Sequence, residues 1–198
     1  MPDEARNLNA SADEERLARI HSYRFIANLL RHPPDVTQLE QMAMLERQAQ
    51  TVDDYGFALQ MLGLAAAQCG AAEIDDEFHA LFIGLGRGEL VPYGSWYLTG
   101  YLMEQPLAAL RSDLARLGMV RNEDSHEPED HVAALLEVMA FLIESEDSRA
   151  VQQQFFHSHI APWMARFFND LTVANNAVFY RAVGRLGMAF LRLESSYL

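Results

Sequence analysis

Apolar positions recur every three or four residues along most of this chain, which is the spacing of an amphipathic helix. Between residues 13 and 31 these positions are Leu17, Ile20, Tyr23, Ala27 and Leu30. The same spacing predicts further helices, over 36–50, 52–68, 75–85, 106–118, 128–144, 151–168 and 172–193. No segment has the pattern of a strand. The sequence therefore predicts an all-α fold, a single-domain bundle of about eight helices.

Two polar stretches interrupt this pattern inside the chain. The first, 84–94, holds four glycines and one proline in eleven residues, and we expect it to be a long loop in the middle of the bundle. Aromatic side chains crowd its end, at Tyr93, Trp96, Tyr97 and Tyr101. The second stretch, 121–127, is acidic and leads to Pro128. We expect Pro128 in the first turn of a helix whose dipole the adjoining carboxylates complement.

The N-terminal segment, Met1 to Ala12, is polar and lacks the apolar core of a signal peptide. We expect residues 1–12 to be a mobile tail and residues 13–198 to be one helical domain. No apolar run approaches the ~18 residues that a membrane-spanning helix needs. The sequence therefore predicts a cytoplasmic protein with no membrane span.

The composition supports helices and excludes several classes of protein. Ala, Leu and Met together number 62, whereas Val, Ile and Thr number only 20, which favours helix over sheet. The chain has no lysine, which excludes P-loop proteins, pyridoxal enzymes and protein kinases in their usual forms. The single cysteine, Cys69, excludes disulfide frameworks, thiolate zinc sites and iron–sulfur clusters held by this chain alone.

The charge balance indicates what kind of partner the protein attracts. Fifteen arginines stand against 28 acidic residues, for a formal net charge of −13. Such a surface repels the phosphate backbone, and the arginines are scattered singly, so we expect no nucleic-acid partner. A cationic ligand or peptide is the partner that this charge favours.

The glycines and histidines of the two polar stretches are weak candidates for ligand sites. Gly84, Gly86 and Gly88 depart from the G-x-G-x-x-G spacing and follow a predicted helix instead of a strand. We interpret them as a flexible connector, and a nucleotide site built from backbone alone stays open. His126 and His131 lie in an acidic run that is more typical of a solvated helix terminus than of a metal site. We expect no cofactor and no metal.

Residues of catalytic type are present without the spacing that catalysis needs. Asp130 and His131 are adjacent, so on a helix their side chains diverge by ~100° and do not form a coupled pair. Ser95 lacks the G-x-S-x-G sequence of a hydrolase nucleophile. We therefore expect no catalytic residue and interpret the protein as a non-enzyme. The alternative is a small hydrolase with Asp130 or His131 as its base.

The aromatic side chains around 93–101 allow two interpretations. Any one of them, taken alone, is expected in the core. As a group beside a glycine-rich loop and an acidic helix start, they resemble a recognition surface. Aromatic faces beside carboxylates bind an arginine-bearing peptide through cation–π contacts and charge-assisted hydrogen bonds. In this second interpretation we expect Asp130 to be exposed and Trp96 to be partly buried.

Three motifs resemble those of the TorD/DmsD family of chaperones, which are dedicated to molybdenum-cofactor oxidoreductases. The motifs are Glu77-Phe-His-Ala-Leu-Phe82, Pro92-Tyr-Gly-Ser-Trp-Tyr97, and Glu127-Pro-Glu-Asp-His131 followed by Leu136-Glu-Val-Met139. The specific feature is the pairing of the second motif with the third. The resemblance covers most of the chain, from the region of Arg16 to the C-terminus.

The resemblance implies a helical cytoplasmic chaperone that binds the twin-arginine signal peptide of a partner enzyme before export. It also implies help with inserting the molybdenum cofactor into the apo-form of that enzyme. The implied binding residues are Tyr93, Ser95, Trp96, Tyr97, Pro128, Asp130 and His131. Arg24 matches a further family position more loosely, and Gly94 stands where the family often has a glutamate. The family is associated with weak guanine-nucleotide binding, and in this chain the resemblance would assign that binding to the glycine-rich stretch 84–94.

An alternative is a helical adaptor or chaperone for a cytoplasmic redox-enzyme subunit, without signal-peptide recognition. Titration with a synthetic twin-arginine peptide separates the two functions. The sequence leaves open which molybdoenzyme is the client. It also leaves open the oligomeric state, since a helical fold with a long hinge loop is compatible with a monomer and with a domain-swapped dimer.

Overall fold

A computed structural model describes residues 2–45, 53–84, 88–120 and 127–198, with the backbone alone for residues 2–11. Ten α-helices occur in these ranges. They are α1 (Pro2–Arg31), α2 (Val36–Ala43), α3 (Asp54–Gln68), α4 (Ala71–Phe78), α5 (Gly94–Thr99), α6 (Gln105–Arg116), α7 (Val132–Glu144), α8 (Arg149–Phe155), α9 (Met164–Val173) and α10 (Phe179–Tyr197). A π-helical turn extends α4 over His79–Ile83, and another extends α8 over Phe156–Ile160. These described ranges contain no strand and one isolated β-bridge, which joins Tyr93 to His131.

The predicted all-α class is confirmed, and the helix count differs for two identifiable reasons. The predicted helix over 151–168 is divided at residues 161–163, because Pro162 has no amide hydrogen to donate. A short helix, α5, lies at the end of the predicted loop and stops at Gly100, which adopts a left-handed φ of 83°.

Several helix boundaries differ from their predictions. The first helix starts at Pro2, well before the expected start at residue 13, and mobility of the 1–12 segment stays a prediction. The predicted helix over 36–50 is observed as Val36–Ala43, and residues 46–50 lie outside the described ranges. The last predicted helix starts at Phe179 instead of residue 172, because α9 continues to Val173 and a turn follows it.

The core forms where α1 lies along α7 and where α10 lies between α3 and α9. Of the positions predicted for the buried face of α1, Ile20, Tyr23, Ala27 and Leu30 are buried, whereas Leu17 is 47% exposed. Large aromatic side chains fill the centre, among them Trp163, Tyr180, Phe156, Phe167, Phe168, Phe179 and Phe190. Gly187 lets α10 approach α9, since a Cβ there would lie 2.2 Å from the ring of Phe168.

A buried ion pair ties the first helix to the last. The Arg19 guanidinium donates two hydrogen bonds of 2.8 Å to the carboxylate of Glu194, and Tyr23 Oη donates a third to the same carboxylate. Gln152 Oε1 accepts from Arg19 at 3.2 Å, which brings α8 into the network. Burial, followed by the Glu194 charge, raises the pKa of Tyr23 well above its ordinary value. The buried charges are therefore fully partnered.

Two carboxylates fix the turn between α9 and α10. Glu77 accepts hydrogen bonds from the backbone N–H groups of Val178, Phe179 and Tyr180, at 2.7–3.0 Å. Glu89 accepts from the backbone N–H groups of Asn175 and Asn176 and from both of their side chains. Glu77, the first residue of one family motif, therefore satisfies N–H groups at the start of α10.

In the described part of the chain, no single helix is long and apolar enough to cross a membrane. One pair of segments, Asp54–Gln68 and Ala71–Ile83, passes that test only when joined, and the two are bent by 113°.

Candidate functional site

The two predicted recognition segments contact each other directly, although Ser95 and Asp130 are 35 positions apart in the chain. The Gly94 N–H donates to the Asp130 carbonyl oxygen at 2.9 Å, and the Val132 N–H donates to the Pro92 carbonyl oxygen at 2.9 Å. The Ser95 N–H donates to Asp130 Oδ2 at 2.7 Å. We call this contact between residues 92–95 and 130–132 the junction. It is the place where the second and third family motifs meet.

Asp130 is buried, which corrects the expectation that it is exposed on a first helical turn. Its residue exposure is only 3%. One carboxylate oxygen, Oδ2, caps α5 through Ser95 N, because Tyr93 at the N-cap position provides no side-chain bond. Among the described residues, the other oxygen, Oδ1, has no hydrogen-bond partner, and neither has Ser95 Oγ. A buried carboxylate oxygen without a hydrogen bond is energetically costly, which makes Asp130 the candidate ligand-binding group of the junction.

Pro128 and His131 lie in a turn before α7, so the prediction of Pro128 in the first helical turn is wrong. The His131 N–H donates to the Pro128 carbonyl oxygen at 3.2 Å, and α7 begins one residue later at Val132. His131 is the N-cap: its Nδ1 accepts from the Ala133 N–H at 3.2 Å. The N-cap role explains the difference, since an acceptor side chain starts the helix better than the proline three residues earlier.

His131 is a neutral structural histidine. It is 4% exposed, and the Tyr93 ring meets it edge-on with 5.1 Å between ring centroids. Burial, with a smaller contribution from Arg31, lowers the pKa of His131 to about 3. With its Nδ1 accepting a backbone hydrogen bond, His131 has no free base there for the hydrolase alternative.

The aromatic residues divide between the core and the surface. Tyr97 is a core residue: it is 8% exposed, and its hydroxyl donates to Asp170 Oδ2 at 3.1 Å. Trp96 is half-buried against the core, as predicted, and Tyr93 is half-buried over His131. Tyr101 is exposed. Neither interpretation therefore holds for the whole group.

A groove of about 960 Å³ lies between α6 and α7, next to the end of α1. We call it the α6–α7 groove. The apolar side chains of Leu114, Met119, Val138 and Phe141 line it, and so does Pro128. Three carboxylates line it against two arginines. These groups form three salt bridges. Arg31 contacts Glu137 at 2.7 Å and Glu127 at 3.3 Å, and Arg111 contacts Glu129 at 2.8 Å.

A second space, of about 310 Å³, lies on the other face of α6. We call it the Asp130 cavity, because Asp130 lines it together with Asp113, His159 and Trp163. His159 Nε2 lies 2.7 Å from Asp113 Oδ2, so the imidazole donates and the carboxylate accepts. Burial, followed by the Arg116 charge, lowers the pKa of His159, which leaves the ring neutral.

Gly94 forms the part of the cavity wall next to Trp163. A Cβ at position 94 would lie 3.1 Å from Trp163 Nε1, so a side chain there requires the indole to move. The indole is held in place, since Nε1 donates to the His159 carbonyl oxygen at 2.7 Å. A glycine at position 94 therefore allows the close contact between the backbone and the indole.

Four of the predicted site residues meet at the junction: Tyr93, Ser95, Asp130 and His131. Pro128 lines the α6–α7 groove, and Tyr97 is buried in the core. Sequence reasoning missed Asp113 and His159, which stand 46 positions apart and carry no motif. Neither residue lies within a local pattern that would have indicated the contact. No group of three His, Cys, Asp or Glu residues suited to a metal occurs in the part of the chain described, and His126 and residues 85–87 lie outside it.

Comparisons with known proteins agree with these motifs. A family model described as "Nitrate reductase delta subunit" matches residues 37–169. A protein named "Chaperone protein TorD" from Vibrio atlanticus is 32% identical over 138 residues, which are 64% of this chain and 64% of that protein. The chain thus spans just under two thirds of the length of that relative. The protein of the same name from Aliivibrio salmonicida is 25% identical over 91% of this chain and 94% of its own length.

A solved structure shares the fold. It is a crystal structure described as a candidate redox enzyme maturation protein from Archaeoglobus fulgidus, with a TM-score of 0.56 and 19% sequence identity. The match covers 88% of this chain and 93% of that one. The named relatives are chaperones and not enzymes, in agreement with the non-enzyme prediction. This chain belongs to the family described as nitrate reductase delta subunit, the TorD-like family that the paired motifs predicted.

Proposed function

We propose that this protein is a cytoplasmic chaperone that binds the twin-arginine signal peptide of a molybdenum-cofactor oxidoreductase. Binding holds the apo-enzyme before export while its cofactor is inserted. Membership of a family whose relatives are named TorD chaperones supports this function. The observation that carries it is Asp130, a buried carboxylate with an unpartnered oxygen at the junction of the two family motifs.

The electrostatics favour a cationic peptide. The chain carries a net charge of −13, and the α6–α7 groove has one more carboxylate than arginine. An incoming arginine can exchange into the ion pairs of Glu127, Glu129 and Glu137, which are partly exposed and therefore open to competition. Attraction at long range also raises the rate of encounter at low salt.

The apolar walls of the groove suit the rest of such a peptide. A signal peptide has a basic segment followed by an apolar one. Phe141, 51% exposed, and Val120, 93% exposed, both line the groove and present apolar surface to a ligand. The carboxylates and the apolar side chains that line the groove therefore match the two parts of the peptide.

Isothermal titration calorimetry tests this function directly. The titrant is a synthetic peptide with two consecutive arginines followed by an apolar stretch, and the control peptide has both arginines replaced by glutamine. We expect saturable binding that weakens with salt, and a loss of about tenfold or more for the control peptide. Equal binding of the two peptides, or no binding of either, would contradict the proposal.

A helical adaptor for a folded redox-enzyme subunit is the second candidate. One observation favours it: Tyr101, Leu102 and Met103 are 69%, 46% and 71% exposed between α5 and α6. Such an apolar segment is typical of a protein–protein contact. If the adaptor function holds, Tyr101→Ser weakens binding of the folded subunit, and the twin-arginine peptide gives no heat of binding.

A further inference from the structure

We propose that two copies of this chain associate through the exposed face of α10, in an antiparallel arrangement that exchanges no helix between them. In this contact Arg181 and Arg185, at the start of α10 in one copy, bind the carboxylates of Asp13, Glu14 and Glu15 on α1 of the other copy. None of these residues lines the α6–α7 groove, so the inference does not depend on the proposed function.

The first support is an arginine pair that the fold leaves unpartnered. Arg181 and Arg185 are both exposed, stand one turn apart on α10, and have no hydrogen-bond, ion-pair or ring partner among the described residues. The other arginines with described side chains each contact a carboxylate, a carbonyl oxygen or an aromatic ring: Arg16, Arg19, Arg24, Arg31, Arg111, Arg116, Arg149, Arg166 and Arg192. Like charges at i and i+4 repel each other, so this pair suits an anionic partner.

The carboxylates of the neighbouring elements do not neutralise this pair. Asp54, the one charged residue of α3, pairs with Arg192 at the other end of α10. Asp170, the one carboxylate of α9, accepts from the Tyr97 hydroxyl. Glu77 accepts from three backbone N–H groups at the start of α10. The start of α10 is therefore a basic surface on a chain whose net charge is −13.

The second support is an acidic stretch of α1 with little packing of its own. Residues 12–18 are exposed apart from the half-buried Arg16, and the buried face of the helix begins at Arg19. Asp13, Glu14 and Glu15 also lack a hydrogen-bond or ion-pair partner among the residues that the structure describes. A polar helical segment that packs on nothing in its own fold is typical of one that bridges to another body.

The two groups lie too far apart to neutralise each other within one chain. α1 and α10 run antiparallel, because Arg19 bonds Glu194 and the Tyr180 hydroxyl bonds the Leu29 carbonyl oxygen. Residues 13–15 therefore lie beyond the C-terminal end of α10. Arg181 lies about 20 Å from Glu194 along the helix, toward the opposite end. That separation is several times the length of an ion pair, so only a second molecule brings the groups together.

A two-fold axis across the exposed face of α10 satisfies both groups at once. Two antiparallel copies of α10 place the start of each helix beside the end of the other, where the acidic stretch of α1 follows. Two-fold symmetry repeats every contact, so both arginine pairs and both acidic stretches are used. Met188, half-buried between Arg185 and Arg192 on the same helix face, adds apolar contact at the centre.

The charges predict a weak dimer with a defined dependence on salt. Exposed ion pairs contribute little individually, so we expect association at the low end of the range for specific interfaces. The Debye length is about 8 Å at physiological ionic strength, which screens the long-range repulsion between two copies of net charge −13 but preserves contacting pairs. At about 1 M NaCl the ion pairs are screened as well, and we expect dissociation.

Sedimentation velocity of the full chain tests the contact. For wild type we expect the mean mass to rise from 22.4 kDa toward twice that value as the concentration increases. Arg181→Glu with Arg185→Glu is expected to weaken dimerisation at least about tenfold. The control, Arg24→Glu with Arg116→Glu, makes the same change in net charge on other helices and is expected to dimerise as wild type does. Circular dichroism melts check that each protein is folded.

A charge swap tests the pairing of the two surfaces. Asp13→Arg with Glu14→Arg is expected to be monomeric on its own, as is Arg181→Glu with Arg185→Glu. Mixed in equal amounts, the two variants carry complementary charges at both contacts, and we expect the dimer to form again. Both variants keep a negative net charge, so attraction between their net charges does not explain such a result.

Four outcomes would overturn the proposal. They are a wild type that stays monomeric up to about 200 μM, a dimer that persists at about 1 M NaCl, a dimer that persists after Arg181→Glu with Arg185→Glu, and a mixture of the two variants that stays monomeric. The second and third outcomes are expected of a dimer that exchanges helices, because its contacts are those of the folded core. If the glutamate variant does not fold, the neutral substitution Arg181→Gln with Arg185→Gln takes its place, with weakened dimerisation expected.

Discussion

At the scale of single residues, two tryptophans near the site have different roles. Trp163 is 1% exposed and bonded through Nε1, whereas Trp96 is half-buried. We expect Trp163→Ala to lower the free energy of unfolding by about 3–5 kcal/mol, and Trp96→Ala by less than about 2 kcal/mol. Urea denaturation measures both. Equal losses would mean that Trp96 contributes to the core as fully as Trp163 does.

His131 gives the stability a defined pH dependence. Its pKa in the folded protein, about 3, lies below the ordinary 6.5, because the buried ring resists a charge. The unfolded chain therefore takes up a proton in a range where the folded protein does not. The contribution of His131 to the free energy of unfolding is complete above pH 6.5 and is lost as the pH falls from 6.5 toward 3.

We expect the wild type to lose about 2 kcal/mol more than His131→Asn between about pH 7 and pH 5. Asparagine keeps an acceptor at the N-cap and has no proton to bind. Urea denaturation of both proteins at the two pH values measures the difference. Parallel losses would show that His131 titrates normally in the folded protein.

At the scale of elements, the start of α10 depends on Glu77. The carboxylate accepts hydrogen bonds from three backbone N–H groups there. The N-cap residue of α10 provides no side-chain hydrogen bond to these groups. We expect Glu77→Ala to destabilise the fold by about 1–2 kcal/mol, as loss of a helix cap does, and to increase hydrogen exchange at residues 178–180. The exposed neighbour substitution Asp76→Ala is the control, and an equal effect of the two would exclude the capping role.

The sequence predicted elements well where burial follows the helical period. Leu135, Leu136, Met139 and Leu142 on the predicted helix α7 recur at helical spacing and are all buried. It failed at the start of α7, where His131 is the N-cap in place of a helix that starts at Pro128, and where the Asp130 side chain turns inward to accept from the distant Ser95 N–H. The motif pairing located the junction, but Asp113 and His159 reach the cavity only through tertiary packing, which local spacing does not encode.

At the scale of the whole molecule, the Arg19–Glu194 ion pair joins the two ends of the described chain. Removing one partner leaves a charge buried without compensation, so we expect Glu194→Gln to cost about 3–5 kcal/mol. The double substitution Arg19→Met with Glu194→Leu is expected to cost less than either single change. The half-exposed pair Arg24–Glu144 provides the control, where Glu144→Gln costs less than about 1 kcal/mol. Thermal unfolding of these three variants and of the single substitutions Arg19→Met and Glu194→Leu measures this ranking, and a double variant less stable than both of its single substitutions would contradict it.

The position of α6 has a consequence for the two spaces beside it. One face of this helix lines the α6–α7 groove at Leu114, and the other lines the Asp130 cavity at Asp113. Any tilt of the helix changes both volumes at once, so we expect occupancy of the two spaces to be thermodynamically linked. Because the two spaces lie on opposite faces, a tilt that widens one narrows the other, so a ligand in the groove is expected to weaken binding in the cavity. Linkage is reciprocal: the factor by which a ligand in the cavity lowers affinity for a ligand in the groove equals the factor in the opposite direction.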